Sequence, residues 1–150
     1  MAIRISITKV KLVRESSHLY DIAHRQIHNP EDAADVFNSV FDLKSEAQEV
    51  FCALFLDTKN GVVGAAEITR GTLNGSLVSP REVYKPAILH NAAGIIVCHN
   101  HPSGNTDPSR EDIAVTERLA KAGKILAIDF LDHIIIAATD YRSLKEEGLL

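Results

Sequence analysis

A run of apolar residues at 95–98, Ile-Ile-Val-Cys, sets the strongest limit on how this chain folds. A continuous apolar run of this length is typical of a strand that other elements cover on both faces. Two more strand-like runs, 50–57 and 62–69, flank a turn at 59–61 that contains Asn-Gly. This dipeptide tolerates the positive φ angles of a tight turn, so the two runs predict a hairpin.

Three stretches carry the signals of helices. A first helix is predicted to begin at Pro30, because Asn29 is a good N-cap and apolar residues then recur at helical spacing. A second helix is predicted to begin after Ser79, which opens a capping-box pattern. A third is predicted over 109–122, with Gly123 as its C-cap.

Further strands are predicted at 3–13, where apolar and polar residues alternate, and at 125–131 and 133–137. Strands and helices therefore intermingle, which predicts an α/β or α+β layered domain with a mixed β-sheet flanked by helices. The sequence contains no repeat and no linker-like stretch. We expect a single domain over 1–150, with residues 1–28 as an N-terminal extension.

Composition narrows the classes of function. The 150 residues carry a net charge of −4, which argues against nucleic-acid binding driven by electrostatics. No apolar run approaches the ~20 residues that span a bilayer, so no membrane association is expected. Cys52 and Cys98 each lie in an apolar run and predict buried thiols in a reducing compartment. The expected location is the cytoplasm.

One stretch of the sequence combines residues suited to metal binding. His99 and His101 follow the buried run, and at a spacing of two in extended chain their side chains project to the same side. Asp112, at the start of the next predicted helix, can supply an oxygen ligand. Two histidines and a carboxylate with an open fourth position form a catalytic type of zinc site. A structural site would prefer four ligands with thiolates, and the sequence has no CxxC pair.

Other roles are open for the same residues. His99 and His101 could be loop histidines that satisfy backbone groups. Ser109 and Asp112 form a variant capping box, with serine as N-cap and an acid at the third helical position. The capping and ligand roles of Asp112 can coexist, since a carboxylate there projects toward the start of the helix.

The stretch HNHPSGNTDPSRED contains the pattern H-x-H-x7-S-x2-D. This pattern resembles the JAMM motif of MPN-domain metallopeptidases, and the longer stretch from RGTLNGSLVSPREVYK to SRED, with LDHIII near the end, is similar to the RadC family. The resemblance covers roughly residues 30–150. It implies a cytidine-deaminase-like or MPN fold and one zinc ion per chain. RadC-like proteins often carry an N-terminal helix-hairpin-helix segment, and none is expected in this chain.

The resemblance also implies roles for residues outside the ligand set. Such enzymes need a glutamate ahead of a central strand, and Glu49 is the first choice for this general base, with Glu67 and then Glu46 as rivals. Ser109 would support the oxyanion of the tetrahedral intermediate. His133, in an Asp-His pair similar to one in the family, is expected in the core or beside the ligands and not as a further ligand.

The leading hypothesis is therefore a zinc metallohydrolase that cleaves a peptide or isopeptide bond in a protein or peptide substrate. The alternative is a non-catalytic, metal-stabilised module associated with DNA repair or protein interaction. Nuclease or phosphoesterase action is a third hypothesis. The two-metal sites that such enzymes use need more carboxylates than this loop offers. The sequence makes no prediction of oligomeric state.

Overall fold

A computed structural model describes residues 26–71 and 78–150 of the chain. The strand predicted at 3–13 and most of the predicted N-terminal extension lie outside these residues. The helices are α1 (Pro30–Phe41), α2 (Pro80–Leu89) and α3 (Arg110–Leu126), and a short 3-10 turn covers Leu43–Ser45. The strands are β1 (Val50–Leu56), β2 (Val62–Arg70), β3 (Gly94–Asn100), β4 (Asp129–Ile136) and β5 (Tyr141–Ser143).

The strands form one mixed sheet in the order β2-β1-β3-β4-β5. β1 runs antiparallel to both of its neighbours, β3 and β4 run parallel, and β5 returns antiparallel to β4. The parallel pair needs a crossover, and α3 supplies it. The predicted layered α/β fold with a mixed, helix-flanked sheet is confirmed.

Alternation along the central strands divides the core into two layers. Val50, Cys52 and Leu54 of β1 pack with α1, on what we call the α1 face. Phe51 and Ala53 pack with α2 and α3 on the opposite face, which we call the α2/α3 face. Every residue of β1 and β3 is buried, as expected for strands that are covered on both sides.

The two cysteines are buried thiols, as predicted. Cys52 and Cys98 are fully buried, are opposite each other on β1 and β3, and are not joined by a disulfide. Burial raises the pKa of the Cys52 thiol to about 12, so it stays protonated at neutral pH. No helix within residues 26–71 and 78–150 is long and apolar enough to cross a membrane.

The predicted helix starts are confirmed. The side chain of Asn29 accepts a hydrogen bond of 2.8 Å from the backbone N–H of Asp32, and Pro30 occupies the first helical position. Ser79 caps α2 by accepting from the N–H of Glu82.

The predicted end of α3 was wrong. The helix continues past Gly123 to Leu126, and Ala127 ends it with a left-handed φ of 54°. Gly123 lies inside the helix, where an added Cβ would come within 2.6 Å of the Tyr84 hydroxyl and 2.5 Å of the carbonyl oxygen of Ile128. This glycine therefore permits close packing of α3 and does not form the cap.

The two strands predicted at 125–131 and 133–137 are a single strand, β4. Ile125 and Leu126 belong to the exposed end of α3, with 85% and 43% of their surfaces accessible. Their apolar side chains suggested a buried strand, but both side chains are exposed to solvent.

Candidate metal centre

The three predicted ligand residues meet at one point on the α2/α3 face. His99 is near the end of β3, His101 follows that strand, and Asp112 lies in the first turn of α3. One ring nitrogen or carboxylate oxygen from each lies within 4.8 Å of the others. Nε2 of His99 is 2.9 Å from Nε2 of His101 and 3.3 Å from Oδ1 of Asp112. Oδ2 of Asp112 is 3.6 Å from Nε2 of His101.

A capping box holds the carboxylate of Asp112 in place. The backbone N–H of Ser109 donates to Oδ2 of Asp112 at 2.7 Å, and the N–H of Asp112 donates to Oγ of Ser109 at 3.1 Å. Both halves of the predicted capping box are thus present. Because the carboxylate points back toward the start of α3, the helix both caps itself and turns an oxygen toward the histidines.

The orientation of the His101 ring follows from its contact with a loop carbonyl. Nδ1 of His101 lies 2.7 Å from the carbonyl oxygen of Asn105, and because a carbonyl oxygen only accepts, Nδ1 carries a proton and donates. In the neutral ring the lone pair is then on Nε2, the nitrogen that faces His99 and Asp112.

This donor set fits a cation. Two imidazole nitrogens 2.9 Å apart repel each other if both present lone pairs, unless a proton or a metal ion lies between them. The carboxylate of Asp112 opposite the pair adds negative charge. Two histidines and a carboxylate suit zinc or a related divalent transition metal.

The pKa of the acid is strongly lowered in this cluster, and that of one histidine is raised. Burial alone would raise the pKa of Asp112, but hydrogen bonds with His101 and His99 outweigh it and hold that pKa far below its usual range. The Asp112 carboxylate in turn raises the pKa of His101 above 6.5, although partial burial opposes the change. Asp112 is therefore ionised at neutral pH and available as an anionic ligand.

Glu49 lies next to this cluster along the sheet. Phe51 of β1 is directly opposite His99 of β3 in the antiparallel register, and its ring stacks on the His99 ring with centroids 6.1 Å apart. Glu49 comes directly before β1, two residues ahead of Phe51 and just outside the paired register. The charge of Glu49 contributes to the raised pKa of His101, which is consistent with this placement.

The two rival glutamates are held elsewhere. Glu67 is opposite Cys52 in the β1–β2 register, so its side chain projects to the α1 face and not to the α2/α3 face of His99. Arg70 binds both Glu67 and Glu46 with N–O distances of 2.8 Å. Both rivals are therefore tied to Arg70, whereas the charge of Glu49 acts on His101.

Contacts around the cluster involve His133, which the sequence analysis expected in the core or beside the ligands, and two residues that it did not single out. Asn100, between the two histidines, accepts from the backbone N–H of Val50, and Thr116 contacts His133. His133 is fully buried, and its Nε2 lies 2.8 Å from Nδ1 of His99. Burial keeps the pKa of His133 well below its usual value. For Thr116, the one sequence signal of a place near the cluster was its position four residues, or one helical turn, after Asp112.

The protein is therefore a layered α/β domain with a candidate metal centre. The end of one strand supplies two histidines and the start of the next helix supplies an aspartate, and together they are able to hold a metal ion. The sequence model of the RadC-like JAB domain family matches residues 27–149, which is most of the chain. The chain belongs to the RadC-like JAB domain family.

Curated relatives agree with this assignment. A UPF0758 protein of Methanosarcina mazei is 43% identical over 141 residues, which cover 93% of this chain and 60% of the relative. A UPF0758 protein of Geobacillus is 48% identical over 139 residues, covering 93% of this chain and 61% of the relative. A UPF0758 protein of Desulforamulus reducens is 50% identical over 124 residues, covering 83% of this chain and 54% of the relative. The chain thus spans about 60% of the length of the first of these relatives.

Proposed function

We propose that the protein is a zinc-dependent metallohydrolase that cleaves a peptide or isopeptide bond, with His99, His101 and Asp112 as the metal ligands. The observation that carries the proposal is the pair of Nε2 atoms 2.9 Å apart beside an ionised carboxylate. Membership of the RadC-like JAB domain family supports the same metal and the same class of reaction.

His99, His101 and Asp112 would hold the ion with three protein ligands, the number that catalytic zinc sites use. When bound, zinc supplies Lewis acidity, which polarises a carbonyl group and makes a water molecule acidic near neutral pH. The remaining chemistry belongs to the side chains of the protein.

Glu49 is the general base of this proposal. Its charge acts on His101, and it accepts a proton from the attacking water and returns it to the leaving amine. A carboxylate suits this task, because the acidified water gives up its proton near pH 7.

Ser109 is the second catalytic side chain. Its hydroxyl oxygen accepts the capping hydrogen bond from Asp112, so the hydroxyl proton remains to be donated. Donation to the developing oxyanion stabilises the tetrahedral intermediate. One residue thus starts α3 and assists the reaction.

The proposal is tested with Glu49→Gln, which keeps the size of the side chain but cannot accept a proton. The probe is a library of internally quenched peptides and of peptides joined through a lysine ε-amine. Zinc content should match wild type, while hydrolysis falls by about 10²–10⁴. Glu67→Gln is the matched control and should stay within a few-fold of wild type.

Three outcomes would contradict the proposal. Equal hydrolysis by wild type and Glu49→Gln would exclude Glu49 as the base, and a large loss in Glu67→Gln alone would assign that role to Glu67. A wild-type protein that holds zinc but cleaves no member of the library would favour a non-catalytic, metal-stabilised module.

A further inference from the structure

We propose that Thr116, through its hydrogen bonds with the backbone of Asp112 and with His133, sets the tautomer of His99 and so keeps Nε2 of His99 free to bind a metal ion. The inference rests on the metal site of the proposed function. It assigns a positioning role to a residue whose hydroxyl bonds to the backbone carbonyl of Asp112 and to the ring of His133.

The first step concerns the single proton of the Thr116 hydroxyl. Oγ1 of Thr116 lies 2.7 Å from the backbone carbonyl oxygen of Asp112 and 2.7 Å from Nδ1 of His133. Because the carbonyl oxygen only accepts, the hydroxyl donates its proton there. The hydroxyl oxygen must then accept from His133, so Nδ1 of His133 carries a proton.

The second step passes this assignment to His99. His133 is fully buried, and its hydrogen-bonding partners are a hydroxyl and a second imidazole, so the ring is neutral and Nε2 has a lone pair. Nδ1 of His99, 2.8 Å away, therefore donates to Nε2 of His133. With its proton on Nδ1, His99 presents a bare Nε2 to His101 and Asp112.

Histidines that bind metals usually donate their second N–H to a carboxylate, a carbonyl or a water, which fixes the tautomer. Here the same task falls to a relay that runs from His99 through His133 and Thr116 to the carbonyl of Asp112. The relay begins at one proposed ligand and ends on the backbone of another, so it also fixes α3 against β3 and β4.

Loss of the Thr116 hydroxyl would remove the acceptor for Nδ1–H of His133. The buried ring then either leaves that proton without a partner or moves it to Nε2. In the second case His133 donates to His99, and the His99 proton shifts to Nε2, where it blocks the ion. Both outcomes weaken metal binding without changing a ligand.

The test compares Thr116→Val, which keeps the shape of the side chain, with Thr116→Ser, which keeps the hydroxyl. Zinc affinity is measured by competition with a chromophoric chelator. We expect Thr116→Val to weaken binding by about 10–100-fold, the usual effect of losing a contact that orients a ligand. Thr116→Ser should remain within a few-fold of wild type.

A second measurement does not depend on the variants folding. Long-range ¹H–¹⁵N correlation spectra of the wild-type histidine rings should place the His133 proton on Nδ1 and the His99 proton on Nδ1. A His133 proton on Nε2 would overturn the inference, whether or not Thr116→Val is stable.

The failures of the inference and of the proposed function are distinguishable. A wild type that binds no zinc would overturn the metal site and this inference with it. Equal zinc affinity in wild type and Thr116→Val would overturn the relay alone. An equal loss of zinc affinity in Thr116→Val and Thr116→Ser would do the same.

Discussion

Asn100 accepts a hydrogen bond from the backbone N–H of Val50 at 2.7 Å, across 50 residues of sequence. The same side chain donates to the carbonyl oxygens of Gln48 at 2.9 Å and Glu46 at 3.3 Å. Asn100 is buried, and it lies between the two histidines of the metal centre. One amide thus holds the backbone on both sides of Glu49 at a set distance from the proposed ligands.

The first prediction is that Asn100→Ala damages both stability and activity but not zinc content. Removing the amide leaves the buried N–H of Val50 without its partner, which costs about 1–3 kcal/mol of unfolding free energy. Hydrolysis of the responsive peptide should fall because Glu49 is no longer held. Denaturant titration and zinc analysis check the two parts. Asn38→Ala, which removes an exposed bond to the N–H of Lys44, is the control and should cost less.

Unchanged stability in Asn100→Ala would contradict this view of the amide. Normal hydrolysis in a destabilised variant would show that the segment around Glu49 positions itself without Asn100.

Much of this arrangement could be predicted from local signals. The apolar run at 95–98 indicated a strand covered on both faces, and the capping patterns at Asn29 and Ser109 indicated where helices begin. The spacing of His99 and His101 indicated that their rings share one side. Each of these inferences uses residues a few positions apart, where backbone geometry alone relates them.

The contacts that depend on distant pairing could not be predicted in this way. Thr116 and His133 meet because α3 packs on β4, and no spacing rule relates them. Gly123 looked like a helix cap because glycine commonly follows the last helical residue, but here it admits the Tyr84 ring. The role of Gly123 thus depends on Tyr84, which lies 39 positions earlier in the sequence.

The second prediction concerns pH. Hydrogen bonding to Asp112 raises the pKa of His101, so a proton on its Nε2 persists to higher pH than on an ordinary histidine. That proton competes with the ion, so zinc affinity should fall as pH decreases through the raised pKa, by about tenfold per unit below it. The loss should begin above pH 6.5, the ordinary value for histidine. Chelator competition between about pH 5 and pH 8 measures it.

His28→Gln provides the control for the pH series, because His28 is exposed and outside the metal cluster. It should leave the profile unchanged. Zinc affinity that is flat down to pH 5 would show that no histidine of the cluster competes with a proton.

The third prediction is that chelation lowers thermal stability without unfolding the chain. The apolar layers on the two faces of the sheet do not include the proposed ligands, so the fold has a core of its own. Far-UV circular dichroism at room temperature should be unchanged by chelation, and the Tm should fall. Zinc at 100 times its Kd adds about 2.7 kcal/mol by mass action. Complete unfolding on chelation would instead indicate a structural site.

The metal content of the purified protein tests the central claim most directly. Elemental analysis by mass spectrometry, after expression with ample zinc and removal of loosely bound ions, should find close to one zinc per chain. His101→Ala should lose most of it, while His28→Ala, the matched histidine control, should keep it. A wild type without zinc, or a His101→Ala variant that retains a full equivalent, would contradict the metal centre described here; two metal ions per chain would favour phosphoesterase chemistry instead.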